Sequence, residues 1–334
     1  MISNRMMKVI ETIPELEKIQ EGCVLTIGNF DGVHVGHQEV LTAAKRIATQ
    51  KKTQFIVMTF EPHPFAILHP EKAPGVLTPL QLKEHLLAKY GADCLIVLKD
   101  SSELLELSPT DFVEKFLVKN IRPGIVVEGE DFNFGYGRTG SVYTLHSLGQ
   151  QRGFDVTIIE SKETRLSIGH SVKVSSTIIR NMLEAGKIAD AAVALGRPYR
   201  LVNKTIPGRG RGKKLGFPTL NLAQPAQIIP AEGVYAGFVQ IADDFEQLLA
   251  AKEKIPAVYS IGQAKTYGNQ QPLLIEAHLF KEKVGELTGK WMAMDFVAHI
   301  RDQIKFKTDA ELSEQIAKDC QKAEQILQNI NICS

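Results

Sequence analysis

Two histidines, His34 and His37, stand three residues apart in the stretch Thr26-Ile-Gly-Asn-Phe-Asp-Gly-Val-His-Val-Gly-His-Gln38, which also holds Gly28, Gly32 and Gly36. Glycine lets backbone N–H groups approach a ligand with no Cβ in the way. Residues three apart on a helical turn share a face, so both imidazoles point to one spot. A helix N-terminus at that spot adds a partial positive charge that suits phosphate. Together these features describe a site for a triphosphate. The stretch has no Gly-Lys-Ser/Thr and no G-x-G-x-x-G, so it is neither a P-loop nor a dinucleotide fingerprint. The competing reading, a glycine-rich turn with two surface histidines, is the weaker one for the whole stretch.

Other residues with chemical potential recur at intervals. His63 lies in Glu61-Pro62-His63-Pro64, where two prolines predict an extended loop. In Gly129-Glu-Asp131-Phe-Asn133-Phe-Gly135, aromatic and glycine residues alternate in a way that can hold a planar ring, and the carboxylates can meet a ribose or an ion. Ser175, Ser176 and Thr177 offer hydroxyls at a helix start, with Arg180 one turn on, a set that can neutralise a leaving pyrophosphate. Taken alone, that set reads more simply as a serine cap with a surface arginine. Further on, Lys204, Arg209, Arg211, Lys213 and Lys214 form a short glycine-rich basic loop that fits over phosphates. Thr219 and Asn221 alternate with apolar neighbours and share a face if extended, giving oxygen ligands acceptable to Mg²⁺. Glu276 and His278 likewise share a face of a later alternating run.

The elements that must position these residues follow from periodicity. Val24–Ile27 reads as a buried strand, Gln38–Thr49 as a helix and Gln54–Phe60 as a second strand, a β-α-β unit that implies a parallel sheet. Before them, residues 1–20 read as a short strand and a helical turn opened by Pro14. Helices are expected over Leu80–Lys89, Pro109–Asn120 with Ser108 as cap, and Val142–Arg152; strands over Cys94–Leu98, Gly124–Glu128 and Phe154–Ile159. Ligands in such sheets sit beyond the carboxyl ends of the strands, where the His34, His63 and Asp131 stretches all fall. Met182–Leu195 reads as one helix with a weak spot at Gly186, ended by Gly196-Arg197-Pro198. After it the rhythm changes to short strands separated by turns, at Gly233–Ile241, Ile255–Gly262, Leu273–Phe280 and Trp291–Val297, as expected for a small antiparallel barrel. Asp309–Gln328, capped by Thr308, is a closing helix. The expected division is residues 1–185, a linker helix and boundary over 186–198, and residues 199–334.

Composition excludes several classes. A chain of 334 residues with 44% hydrophobic and 23% charged content has room for two ordinary globular cores. A formal net charge of +1 gives no field for nucleic acid or an acidic membrane. Cys23, Cys94, Cys320 and Cys333 are scattered, which predicts neither a disulfide framework nor a zinc site and points to a reducing compartment. No apolar run is long enough to span a bilayer and the amino end lacks the apolar core of a signal peptide, so a cytoplasmic protein is expected.

His-x-Gly-His after a strand resembles the nucleotidyltransferase superfamily. The ordered set Gly-x-Phe-Asp-Gly-x-His-x-Gly-His, Phe-Glu-Pro-His-Pro, Gly-Glu-Asp-Phe-x-Phe-Gly and Ser-Ser-Thr-x-Ile-Arg resembles the amino-terminal half of bacterial bifunctional riboflavin kinase/FAD synthetases. Leu-Gly-Phe-Pro-Thr-x-Asn, Gly-Val-Tyr-Ala, Glu-x-His-Leu and the Phe306, Leu312, Ile316, Asp319 pattern resemble the riboflavin kinase barrel of the same family. The resemblance implies a fold of class α/β plus β: a Rossmann-like nucleotidyltransferase domain, then a small antiparallel β-barrel with a terminal helix. It implies synthesis of FMN from riboflavin and ATP by the second domain and of FAD from FMN and ATP by the first, with Mg²⁺ in both steps. It places His34 and His37, with Gly28, Asn29, Phe30, Asp31 and Gly36, around the ATP phosphates and metal, and His63 at the ligand edge. Asp131 and Asn133 line the nucleotide and flavin region; Ser175, Ser176, Thr177 and Arg180 form a second phosphate motif. In the barrel, Gly216, Thr219 and Asn221 sit on Mg²⁺–ATP and Glu276 is the base for the ribityl hydroxyl. The chain departs from the family pattern at Ser260-Ile-Gly-Gln-Ala264-Lys265-Thr266 and at Leu287-Thr288-Gly289. That departure keeps a second reading open, an FMN adenylyltransferase whose barrel only binds flavin. A third, a flavin sensor acting on RNA or protein, has the basic 204–214 loop alone behind it.

Overall fold

The computed structural model describes residues 7–99, 102–161, 163–167, 169–263, 273–281 and 287–329. Contacts divide the chain into two compact units, one of Met1–Pro74, Thr78–Thr164 and Val172–Ser175, the other of Gly75–Leu77, Arg165–Ser171 and Ser176–Ser334.

The first unit is a parallel sheet with flanking helices. Its strands are β1 (Lys8–Ile10), β2 (Val24–Ile27), β3 (Phe55–Phe60), β4 (Cys94–Leu98) and β5 (Ile125–Gly129). A two-residue ribbon of β6 (Asn133–Phe134) and β7 (Gly140–Ser141) precedes the last sheet strand, β8 (Asp155–Ile159). The six sheet strands run in the order β1-β4-β3-β2-β5-β8. The central strands β2, β3 and β4 are covered on both faces and so read as nearly continuous apolar runs, and Leu25, Ile56, Met58 and Ile96 are buried. The strand order reverses beside β2, so the crevice at its carboxyl end lies between β2 and β5.

The helices of this unit follow their apolar stripes. Val35–Lys51 turns Val40, Leu41, Ala44 and Ala48 inward and ends at Lys52, whose φ of 54° is left-handed. Val142–Arg152 starts on a reciprocal Ser141–Thr144 capping box and stops at Gly153. Two expectations need correction. The Pro62–Pro64 loop is not extended throughout: Pro64 opens a one-turn helix, Pro64–Leu68, because proline is pre-organised for a first helical position. The helix expected over Pro109–Asn120 keeps its Ser108 cap but widens to π geometry over Phe112–Ile121, which puts Phe112, Val113, Phe116, Leu117 and Ile121 into the core.

The second unit begins, after a short ribbon of β9 (Glu163–Arg165) and β10 (Ser171–Lys173), with two helices, Ser176–Glu184 and Ile188–Leu195. The single helix expected over Met182–Leu195 is therefore broken, because Gly186 takes a φ of 69° that ends one helix before the next begins. A closed barrel follows, built from β11 (Tyr199–Ile206), β12 (Leu220–Leu222), β13 (Gly233–Ala242), β14 (Ile255–Gln263), β15 (Leu273–Leu279) and β16 (Trp291–Arg301), in the order β11-β12-β15-β14-β13-β16. Its pairings are antiparallel throughout. Closure leaves no free sheet edge. Tyr235, Tyr259 and Phe296 pack ring against ring inside it.

Buried charge stitches the barrel. The Arg200 guanidinium donates to both carboxylate oxygens of Asp295 at 2.6 and 2.7 Å and to Gln240 Oε1 at 2.6 Å, joining β11, β16 and β13. The closing helix, Asp309–Gln328, is capped by Thr308 Oγ1, which accepts from Glu311 N at 3.2 Å. Its buried Asp319 accepts from Arg301 Nε and Nη2 at 3.0 and 2.6 Å, while Ala323 and Leu327 pack on Val234, Val258 and Ile300. Parts of the 203–214 segment expected to be loop are regular, since β11 runs on to Ile206 and Arg211–Lys214 is a helical turn.

Candidate active sites

In the first unit, the stretch after β2 folds into a compact turn whose own rings fill it. Phe30, Asp31, Val33 and His34 are all buried. Phe30 and Val33 hold positive φ angles of 48° and 38°, uncommon for residues with a side chain. His34 caps the Val35–Lys51 helix, its Nδ1 accepting from His37 N at 3.4 Å. The His34 and His37 rings stack with centroids 3.6 Å apart, and Phe30 meets His37 edge-on at 5.2 Å. A Cβ on Gly28 would press on the Phe30 ring at 3.2 Å, and one on Gly36 on the His34 ring at 3.3 Å. These two glycines therefore make room for the aromatic stack at a helix N-terminus.

Three further groups tie this turn to its surroundings, and sequence reasoning missed them. Thr78, just before the Leu80–Lys89 helix, donates its N–H to Asp31 Oδ1 at 2.9 Å and accepts from Gly32 N through Oγ1 at 3.1 Å. Lys83, one turn into that helix, is buried with its ammonium 3.7 Å from Glu61 Oε2. Burial pushes the Lys83 pKa down, against the pull of the Glu61 and Asp31 charges. A lone lysine on an amphipathic helix reads as a solvated residue, so nothing in the sequence marked it. The third is Glu128. The β2–β5 ladder ends at Leu25–Val126, and the Glu128 carboxyl takes over by accepting from Ile27 N at 2.6 Å. Burial raises its pKa well above the usual carboxylate range. Its signal was a carboxylate at the end of an otherwise apolar strand.

His63 stands at the carboxyl end of β3, caps the Pro64–Leu68 helix by accepting from Phe65 N at 3.0 Å through Nδ1, and meets the Asn29 side chain through Nε2 at 2.9 Å. Asn29 and His63 are thus brought together. Asp131 lies in the turn after β5 and Asn133 opens β6; Asn133 donates to the Asp131 carbonyl at 2.7 Å, and Lys173 bridges Glu130 and Asp131 at 3.0 and 3.5 Å. Ser175 belongs to this unit. Ser176, Thr177 and Arg180 belong to the other, on the Ser176–Glu184 helix, where Arg180 Nε donates to the Gly75 carbonyl at 2.7 Å.

The second unit gathers a different set of groups. Asn221 pairs with Glu276 across β12 and β15. Thr219 Oγ1 donates to Glu276 Oε1 at 3.3 Å, which leaves the hydroxyl lone pairs open to a cation. Thr219 lies one residue before β12, not within it. The basic loop drapes over both residues: a Cβ on Gly208 would collide with the Asn221 amide, and one on Gly212 would collide with the Phe217 carbonyl and stand 3.3 Å from Thr219 Oγ1. Gly216 has a φ of 87° that turns the loop back. His278 Nδ1 meets the Pro218 carbonyl at 2.8 Å and its ring packs edge-on against Phe217. The departing stretch at Ala264-Lys265-Thr266 and Cys333 lie outside the described residues.

Among the described residues no cluster of three or more His, Cys, Asp or Glu side chains is suited to hold a metal ion, and no helix is long and apolar enough to cross a membrane. Cys23, Cys94 and Cys320 are free, and burial pushes their thiols up to about 12, 11 and 12 respectively.

Comparison with known proteins matches both units. The FAD synthetase family model covers residues 16–178 and the riboflavin kinase model residues 195–327. The bifunctional riboflavin kinase/FMN adenylyltransferase of Escherichia coli (strain K12) is 34% identical over 314 residues, 94% of this chain and 96% of that protein. The protein of the same name from Listeria monocytogenes serovar 1/2a is 35% identical over 298 residues, 89% of this chain and 90% of that one. A crystal structure described as a macrolide-efflux protein from Streptococcus pneumoniae superposes with a TM-score of 0.81 at 26% identity, covering 98% of this chain and 100% of that one.

Proposed function

We propose how two reactions are divided over this chain, which belongs to the bifunctional riboflavin kinase/FMN adenylyltransferase family. The second unit transfers the γ-phosphoryl group of ATP to riboflavin, giving FMN and ADP. The first unit transfers the adenylyl group of a second ATP to FMN, giving FAD and pyrophosphate. No nucleic acid and no membrane enter either step. A cytoplasmic setting fits the demand for ATP and the free thiols.

The observation that carries the kinase assignment is the contact of Thr219 with Glu276 beneath a glycine-rich basic loop. An alcohol is almost fully protonated at neutral pH, so its attack on phosphorus is helped by a carboxylate that takes the proton. Glu276 is that base for the ribityl 5′-hydroxyl. Thr219 and Asn221 supply oxygen ligands for Mg²⁺, a donor set that fits a hard cation keeping its waters and its phosphate ligands. The metal would neutralise charge on the phosphates. Gly216 and the basic loop lie over the same groups.

Adenylylation needs no such base, because the attacking group of FMN is already a phosphate anion. It needs in-line placement and neutralisation of the charge on the leaving pyrophosphate. The stacked His34–His37 pair at a helix N-terminus supplies both, with Gly28, Asn29, Phe30, Asp31, Gly36 and His63 shaping the phosphate end. Asp131 and Asn133 face the nucleotide and flavin. Of the second phosphate motif that the sequence offers, Ser175, Ser176, Thr177 and Arg180, Ser175 belongs to this unit. The test is product chromatography with Mg²⁺ and ATP, run once from riboflavin and once from FMN. FAD from both substrates is expected; a protein that makes FAD from FMN yet no FMN from riboflavin overturns the kinase assignment.

A further inference from the structure

We propose that His278 is a positioning residue of the kinase site: its Nδ1–H holds the Pro218 carbonyl and so sets Thr219 beside Glu276. The inference rests on the kinase reading of the second unit, in which Thr219 is a Mg²⁺ ligand and Glu276 the base. Glu276 and His278 stand two apart on β15, so both side chains leave the same face of the strand. The register of β15 with β12 ends at Ala277 against Leu220. The chain that leads into β12 lies beyond that last pair, and two side chains of β15 hold it there. The Thr219 hydroxyl donates to Glu276 Oε1 at 3.3 Å, and His278 Nδ1 lies 2.8 Å from the Pro218 carbonyl oxygen.

The second of these bonds has one possible direction. A carbonyl oxygen only accepts, so Nδ1 donates and carries a proton, in the neutral ring and in the imidazolium alike. The hydroxyl–carboxylate contact is long for an O–H···O bond, so it does not by itself fix where Thr219 stands. The His278 ring adds a further hold: it packs edge-on against Phe217 with centroids 5.5 Å apart and against Phe280 at 6.0 Å. Phe217 in turn donates its N–H to the Gly212 carbonyl at 2.8 Å, which closes the basic loop on its own root. His278 therefore grips the two residues, Phe217 and Pro218, that join that loop to Thr219. A ligand side chain works only when it is held close to its productive geometry, and a residue that fixes the ligand's backbone acts on the metal without touching it.

Asparagine separates the hydrogen bond from the ring. Its amide nitrogen is two bonds from Cβ, as Nδ1 is, so His278→Asn keeps a donor for the Pro218 carbonyl, whereas His278→Leu has nearly the same size and no donor. Phosphorylation of riboflavin by the full chain is read as FMN plus FAD. His278→Leu should raise the Mg²⁺ concentration at half-maximal rate about five- to ten-fold, the worth of one hydrogen bond, with KM for riboflavin within about two-fold of the parent. His278→Asn should recover most of that loss. Leu and Asn variants that behave alike, whether both impaired or both like the parent, overturn the inference, as does a KM for riboflavin that rises as much as the Mg²⁺ requirement. The ¹⁵N spectrum of His278 in the metal-free parent protein, in mildly alkaline buffer, tests the bond without turnover: a proton on Nδ1 is expected, and a bare Nδ1 overturns the inference even in an active enzyme. A parent protein that makes no FMN from riboflavin refutes the kinase reading instead, and the ¹⁵N result still decides whether His278 holds Pro218.

Discussion

The two units handle the same co-substrate with opposite materials. The first offers a tightly packed turn in which Phe30, Asp31, Val33 and His34 are buried and two side-chain-bearing residues hold positive φ angles. Each such backbone strain costs of order 1–3 kcal/mol and persists only where the surroundings over-determine it. Thr78 clamping Asp31 and Gly32 provides that support. The second offers an open loop carrying exposed cations, with glycines wherever it touches Asn221 and Thr219. The difference follows the chemistry. On the proposed assignment, a phosphate nucleophile needs no base, so its site is preformed; an alcohol needs one, so Glu276 is kept beside Thr219 and Asn221 and a loop covers them.

The sharpest break of this contrast is removal of the proposed base. Glu276→Ala should lower FMN formation from riboflavin by ~10²–10⁴-fold, while FAD formation from supplied FMN continues at the parental rate. A variant that still phosphorylated riboflavin at full speed would remove the alcohol-activation half of the comparison.

Next in size is an effect on stability confined to the second unit. Asp319 is buried and accepts the Arg301 guanidinium at 2.6–3.1 Å, pinning the closing helix to β16. Asp319→Ala leaves that guanidinium without its partner, a loss expected to cost ~3–5 kcal/mol. Two transitions in a thermal melt, with only one of them lowered by the substitution, would mark it as local. A melt unchanged from the parent would mean the pair contributes nothing.

How much of this was legible in the sequence depends on range. Strands such as Cys94–Leu98 and helices such as Leu80–Lys89 and Asp309–Gln328 were readable to their ends, because apolar period and caps are local signals. The break at Gly186 and the widened turn at Phe112–Ile121 were not, because neighbours distant in sequence decide whether a glycine ends a helix and how many rings must reach a core. At the sites, the residues with family motifs were legible, yet their supports were not. Thr78 lies 47 residues from Asp31 and Glu128 lies 101 residues from Ile27. No spacing rule links such pairs.

The histidine pair gives a smaller effect than loss of the base. His37→Ala removes the ring stacked on His34 and should slow FAD formation ~10²-fold without changing FMN formation from riboflavin. His34→Ala should show the same kinetic loss together with ~1 kcal/mol lower stability, because it also deletes the helix cap. Rates from FMN and from riboflavin, measured on one preparation, check both; equal loss of the two activities would argue against separate sites.

The smallest effect concerns pH and belongs to the first unit. Glu128 is buried and its pKa is raised, chiefly by desolvation, above the ordinary value of 4.5. Below that value the carboxyl is protonated whether the chain is folded or not, and it costs nothing. Above it the unfolded chain releases the proton while the folded chain keeps it. The unfolded state then binds fewer protons, so stability falls as pH rises, by ~1.4 kcal/mol per pH unit, until the folded pKa is reached. Glu128→Gln keeps the oxygen that accepts from Ile27 N and has no proton to lose. Its stability relative to the parent should therefore grow from pH 4.5 upward, read by urea unfolding at several pH values. A parent–variant gap that stays constant across that range would mean that the carboxyl where β2 and β5 diverge ionises freely, and that the crevice is held open by something else.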